Sequence, residues 1–71
     1  MTYVYDFSSG GEAKFYINGN HVCRMTGGHP AYSINGEYWY GYLSFGTPVF
    51  WVKDRYVYEY PLSTTPKYYL G

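Results

Sequence analysis

The chain contains four copies of one short pattern, in which an apolar or aromatic run meets a tight-turn dipeptide and a second such run follows. Three copies are internal, with AKFYINGNHVC from Ala13, PAYSINGEYWY from Pro30 and PVFWVKDRYVY from Pro48. The fourth begins as PKYYLG at Pro66 and continues from the N-terminus as MTYVY. The pattern is therefore divided between the two ends of the chain.

The spacing of the copies supports this division. The equivalent apolar residues Ile17, Ile34, Val52 and Leu70 are 17, 18 and 18 residues apart. These intervals use 53 of the 71 residues, so 18 remain for the passage from Leu70 through the termini to Ile17. A repeat length that divides the whole chain predicts a closed ring, because an open stack needs atypical capping units. We therefore expect one domain over residues 1–71, with repeats at approximately 13–29, 30–47, 48–65, and 66–71 joined to 1–12.

The turn dipeptides indicate β-hairpins. Asn18–Gly19 and Asn35–Gly36 are strong signals for a two-residue type I′ turn, in which both central residues need positive φ. Lys53–Asp54 occupies the same place in the third copy with weaker turn chemistry. In the divided copy this place falls at the chain ends, so the terminal segments should pair as neighbouring antiparallel strands. No stretch has helical periodicity. The sequence predicts an all-β fold of four hairpins, about eight short antiparallel strands, closed into a small barrel or propeller-like ring.

Strand parity sorts the side chains into two faces, because successive side chains of a strand point to opposite sides. One face is predicted to be the core and contains Phe15, Tyr32, Phe50, Tyr68, Ile17, Ile34, Val52, Leu70, Val4, Val22, Trp39 and Val57. The other is rich in tyrosine and contains Tyr16, Trp51, Tyr69, Tyr3, Tyr38, Tyr56, Tyr5, Tyr40, Tyr58, Phe7, Tyr42 and Tyr60. We call it the tyrosine face. Tyrosine suits a half-buried surface, since its ring packs while its hydroxyl stays in water.

Charge and cysteine content narrow the range of partners. Charged residues make up 14% of the chain and the net charge is zero, so no long-range field attracts nucleic acid or an anionic membrane. Base-stacking proteins add a cationic groove to their aromatic platforms, and the five basic residues are dispersed. Cys23 is the single cysteine, which argues against a secreted, disulfide-bonded scaffold. The N-terminus resembles neither a signal peptide nor a membrane span. We expect a cytoplasmic protein.

Read as a consensus, the unit is G-x-P-x-[YF]-x-[IV]-x-G-x-x-V-Y, and it is clearest in GHPAYSINGEYWY and GTPVFWVKDRYVY. This unit resembles the short tandem β-hairpin repeats of small bacterial proteins without an assigned activity. The resemblance covers nearly the whole chain and implies a β-repeat fold and a bacterial or phage origin. It transfers no catalytic residue. The chain departs from the unit at Ala13 for proline, Asp54 for the turn glycine and Cys23 for the last tyrosine.

Few residues have side chains suited to catalysis or metal binding. His21 and Cys23 share a strand face and could bind a metal, but no second pair lies at a metal-site spacing, and both stand where other copies have tyrosine. Cys23 with a histidine could act as a nucleophile and a base, yet no third residue is placed to orient them. The carboxylates are scattered along the repeats, and no phosphate-binding loop precedes a helix. We therefore expect no enzyme activity, no catalytic residue, no metal and no cofactor.

The tyrosine face carries the functional hypotheses. Tyrosine, tryptophan and methionine are enriched at the centres of protein interfaces, so the first hypothesis is a module for protein interaction or self-assembly, such as a homo-oligomer. The alternative is a small lectin-like module, in which aromatic rings stack on sugars and Asn18, Asn20, Asn35 and Glu37 donate or accept hydrogen bonds. The polar residues after the turns differ among the copies, which favours protein interaction. The predicted binding residues are Tyr38, Tyr40, Trp51, Tyr56 and Tyr58.

Overall fold

The computed structural model describes residues 2–8, 10–44, 46–61 and 63–71, and within these ranges it contains eight strands and no helix. The strands are β1 (Thr2–Asp6), β2 (Ala13–Asn18), β3 (His21–Arg24), β4 (Pro30–Asn35), β5 (Tyr38–Gly41), β6 (Phe50–Lys53), β7 (Tyr56–Glu59) and β8 (Tyr68–Leu70). Each strand pairs antiparallel with the next, and β8 pairs with β1. The predicted all-β fold, closed into a barrel with paired terminal strands, is confirmed.

The terminal strands form the fourth hairpin, which no covalent turn connects. The register places Tyr5 of β1 opposite Tyr69 of β8. Tyr3 and Gly71 exchange two backbone hydrogen bonds, each 3.0 Å long, which is the pattern of a closely paired antiparallel ladder. The sequence also assigns Met1 to this hairpin tip, but Met1 lies outside the described residues.

The hairpin turns differ from the prediction by one residue. Asn18 pairs with His21, so the two-residue loop is Gly19–Asn20, and the next loops are Gly36–Glu37 and Asp54–Arg55. The φ angle is positive at the first central residue of each loop, with 62° at Gly19, 64° at Gly36 and 60° at Asp54, and not at the second. A type II′ turn has this pattern and favours glycine in the first place. The prediction of type I′ turns is therefore wrong.

The barrel interior holds the twelve side chains that strand parity assigned to the core. Six are buried and six partly buried side chains pack against them. The buried set is Val4, Val22, Trp39, Phe50, Val57 and Tyr68, and the partly buried set is Phe15, Ile17, Tyr32, Ile34, Val52 and Leu70. Each hairpin supplies three of the twelve, so the core is shared equally among the four hairpins.

Four aromatic rings form a closed circuit inside the barrel, and we call this group the core quartet. It consists of Phe15, Tyr32, Phe50 and Tyr68, one from the first strand of each hairpin. Each ring meets the next nearly edge to face, with centroids 5.2 to 5.7 Å apart and planes inclined by 65° to 89°. Edge-to-face contact is a favoured geometry for aromatic rings. The core quartet therefore links every hairpin to both of its neighbours.

Candidate functional site

Loops between the hairpins fold back over part of the tyrosine face. The hydroxyl of Tyr16 lies 2.9 Å from the position that a Cβ would take on Gly28, in the loop after β3. In the same way, the hydroxyl of Tyr69 lies 3.2 Å from the Cβ position of Gly11, in the loop after β1. Both glycines have positive φ, where a side chain would be strained as well as crowded. Each loop thus covers an aromatic residue on the first strand of its own hairpin.

Trp51 and Tyr58 form a stacked pair on the third hairpin. They pair across β6 and β7, and their ring centroids are 4.7 Å apart with planes inclined by 19°. Both are partly buried, and with Ser63 and Thr64 of the following loop they line a groove of about 530 Å³. The Trp51 indole N–H is buried, and no described residue accepts a hydrogen bond from it. An unpaired buried donor is costly, so this pair is packed tightly but imperfectly.

The most exposed aromatic contacts lie where neighbouring hairpins meet, and we call them the junction pairs. Phe7 contacts Tyr56, Tyr60 contacts Tyr38, and Tyr42 contacts His21, with centroids 5.5 to 6.1 Å apart and planes inclined by 70° to 80°. All six side chains are exposed to solvent. Phe7 and Tyr56 also line a groove of about 360 Å³ beside the C-terminal strand. The junction pairs therefore present large, partly preordered aromatic surfaces to solvent.

The five predicted binding residues lie on the outer face of three adjacent strands, β5, β6 and β7. Tyr38 is opposite Trp51 in the register, and Trp51 is opposite Tyr58. Tyr38 and Tyr56 are 40% and 39% exposed and belong to junction pairs. The remaining three, Tyr40 among them, are partly buried. The structure thus brings the set onto one surface, but only its two junction tyrosines are well exposed.

The junction partners Phe7, Tyr42 and Tyr60 were assigned to the tyrosine face but not to the predicted binding residues. Each lies just beyond the end of its strand, where strand parity places it in line with the outward residues before it. That continuing period of two was the signal that could have identified them. Their ring contacts with the neighbouring hairpin depend on how the strands close into a barrel. The residue pattern of a single strand carries no information on that closure.

The outer face is less aromatic on two of the hairpins. Cys23 lies opposite Tyr16, and Ser33 lies opposite Tyr40. Cys23 is a free thiol with 4% exposure, whereas His21 on the same strand is exposed. Among the described residues, no three His, Cys, Asp or Glu side chains are grouped as metal ligands. The aromatic surface is therefore densest on the two hairpins built from β6, β7, β8 and β1.

The fold shifts the pKa of the Tyr68 hydroxyl. Burial raises the pKa of Tyr68 above its ordinary value of 10.0, and the nearby Tyr32, Asp6 and Glu59 raise this pKa further. Asp6 and Glu59 also line a groove beside Tyr68, of about 270 Å³, with Lys67. Ionisation of Tyr68 would place a negative charge in a poorly solvated position near two carboxylates. The fold therefore favours the neutral phenol.

No helix within the described ranges has the length and apolar character needed to cross a bilayer. Comparisons with family models, with curated proteins and with solved structures found no match to this chain.

Proposed function

We propose that this chain is a non-catalytic module that mediates protein interaction or self-assembly through its outer aromatic side chains. The observation that carries the proposal is the set of junction pairs, whose large rings remain exposed although the chain has a complete aromatic core. Exposed aromatic side chains that already contact a neighbour lose little conformational entropy on binding. They are thus suited to act as anchors in an interface.

The charge distribution supports association of like copies. The net charge is zero, so two copies do not repel each other at long range. Lys14 and Glu12, which belong to no junction pair, form a solvent-exposed ion pair 3.3 Å long. Burial of the junction rings would remove apolar surface from water.

Sedimentation velocity over a wide range of protein concentrations tests the self-assembly version. We expect the sedimentation coefficient of the wild type to rise with concentration. The double variant Tyr38→Ser/Tyr60→Ser removes one junction pair and should weaken association by about 2 kcal/mol, roughly 30-fold in the dissociation constant. Circular dichroism would verify that the variant keeps its barrel.

Leu43→Ser is the matched control, because Leu43 is 71% exposed and belongs to no junction pair. It should leave the dissociation constant unchanged. If Leu43→Ser weakened association as much as loss of the junction pair, nonspecific hydrophobic association would explain the data. A wild type that stays monomeric at every concentration would remove self-assembly and leave only interaction with a different protein.

Carbohydrate binding is a second candidate, and one observation favours it. The groove beside the Trp51–Tyr58 stack combines aromatic rings with the hydroxyl-bearing Ser63 and Thr64 and with Lys53, which is the mixture that sugar sites use. A glycan screen followed by tryptophan fluorescence titration tests it. Trp39 is 2% exposed, so a binding signal would come from Trp51. Thr64→Val should weaken a true sugar complex. If no glycan in the screen bound the protein, carbohydrate binding would be rejected.

A further inference from the structure

The two ends of the chain meet at a stacked pair of tyrosines. Tyr5 of β1 lies opposite Tyr69 of β8. Their ring centroids are 5.2 Å apart and their planes are inclined by 24°. Both side chains are partly buried. The fold therefore holds two phenol rings face to face between the terminal strands.

The surroundings restrict both rings. A Cβ on Gly71 would lie 2.9 Å from Cε2 of Tyr5, and the hydroxyl of Tyr69 lies 3.2 Å from the Cβ position of Gly11. Each tyrosine has two carbons ortho to its phenol oxygen, Cε1 and Cε2, and phenoxyl radicals join at such carbons. Two groups held in contact react far more readily than two that must meet by diffusion, because the fold has already removed their translational freedom.

The corresponding positions of the other three hairpins carry no pair of phenols. There the outward cross-strand pairs are Tyr16 with Cys23, Ser33 with Tyr40, and Trp51 with Tyr58. Among these four equivalent positions, two phenols face each other only in the hairpin whose strands no turn connects. A covalent bond at this position would supply the connection that the chain itself lacks.

We propose that Tyr5 and Tyr69 are an oxidative cross-linking site, at which a one-electron oxidant of the peroxidase class, supplied with hydrogen peroxide, forms a dityrosine. Each phenol loses one electron and its hydroxyl proton. The two radicals then form one bond between carbons ortho to the oxygens, and the hydrogen on each of these carbons moves to the phenol oxygen. Hydrogen peroxide takes up the two electrons and two protons and becomes two molecules of water. This cross-link is independent of the proposed interaction function.

The test treats the full chain with a haem peroxidase and hydrogen peroxide at low protein concentration, followed by trypsin. Cleavage after Lys14 and Lys67 separates residues 1–14 from residues 68–71. The cross-link should therefore give one joined peptide that lacks two hydrogens and shows dityrosine fluorescence. Tyr5→Phe and Tyr69→Phe each keep the ring but should abolish this peptide.

Tyr3→Phe is the matched control, because Tyr3 also contacts Tyr5 but at 6.4 Å and 51°, and it should leave the joined peptide in place. A cross-link between residues 5 and 69 closes a loop of about 65 residues, so the cross-linked monomer should melt higher by on the order of 10 °C. When the protein is oxidised in denaturing urea, the yield of the joined peptide should fall to a small fraction. The proposal fails if cross-links form only between chains, if the peptide persists in Tyr5→Phe, or if unfolded protein gives an equal yield.

Discussion

The third hairpin turn contains a residue that strains the backbone, and its replacement by glycine should stabilise the protein. Asp54 has a φ of 60° at the first central position of a type II′ turn. The same position holds Gly19 at 62° and Gly36 at 64° in two other hairpins. Residues with a Cβ adopt such φ values only at a cost, whereas glycine adopts them freely. We therefore predict that Asp54→Gly raises the free energy of unfolding.

The magnitude follows from two opposing effects. Relief of left-handed strain is worth about 1–2 kcal/mol. Glycine gives back about 0.5–1 kcal/mol of this, because it makes the unfolded chain more flexible. The net gain is about 0.5–1 kcal/mol, which corresponds to about 2–8 °C in melting temperature for a domain of this size.

Thermal and urea unfolding, followed by circular dichroism, measure the change. Gly36→Asp is the reverse substitution, and a Cβ there would meet no atom within 4 Å, so its cost reports backbone strain alone. It should lower the melting temperature by a similar amount. Asp54→Ala removes the carboxylate but keeps the Cβ, and it should give no stabilisation. If Asp54→Ala stabilised as much as Asp54→Gly, or if Asp54→Gly destabilised the protein, the strain argument would be refuted.

Three further predictions concern the core, the Trp51 indole and alkaline pH. Phe50→Ala should cost about 3–5 kcal/mol of unfolding free energy, because Phe50 is buried and contacts three other rings, and urea titration would show it. Trp51→Phe removes the unpaired indole N–H and should change stability by less than about 1 kcal/mol, whereas Trp39→Phe at a fully packed site should cost more. The pKa of Tyr68 is raised in the fold, so the stability that its neutral phenol contributes is present below pH 10.0 and is lost as pH rises through the raised pKa. Stability measured above pH 10.0 should therefore fall less steeply in Tyr68→Phe, and an unchanged slope would contradict this assignment.

The core could be predicted from the sequence although the turns were placed wrongly. A shift of the loop by one residue changes each cross-strand partner by two, so that Phe15 lies opposite Arg24 instead of Val22. A shift of two keeps every side chain on its original face, because the strand period is also two. Strand parity is therefore a more robust signal than turn type. The turn type itself depended on whether glycine came first or second in the loop, which the dipeptide alone did not decide.

The degree of exposure on the tyrosine face could not be predicted in this way. Trp51 and Tyr56 both point outward, yet a loop lies beside Trp51 whereas Tyr56 stays exposed in a junction pair. Parity distinguishes inside from outside but carries no information on which outward residues a loop covers. The glycines at positions 11 and 28 were a usable signal, since each allows a tyrosine hydroxyl to approach the loop backbone.

Closure of the barrel by its own terminal strands is the central feature of the fold, and native-state hydrogen exchange at the terminal amides tests it most directly. The amides of Tyr3 and Gly71 donate to each other's carbonyls, and the amide of Leu70 donates to the carbonyl of Arg55, in the loop before β7. The amide of Val52 donates the equivalent bond to the carbonyl of Glu37, between two internal hairpins, and is the internal reference. We predict that Tyr3, Leu70 and Gly71 are protected to a degree comparable with Val52. Terminal amides that exchange as fast as an unfolded peptide, while Val52 stays protected, would contradict a closed barrel.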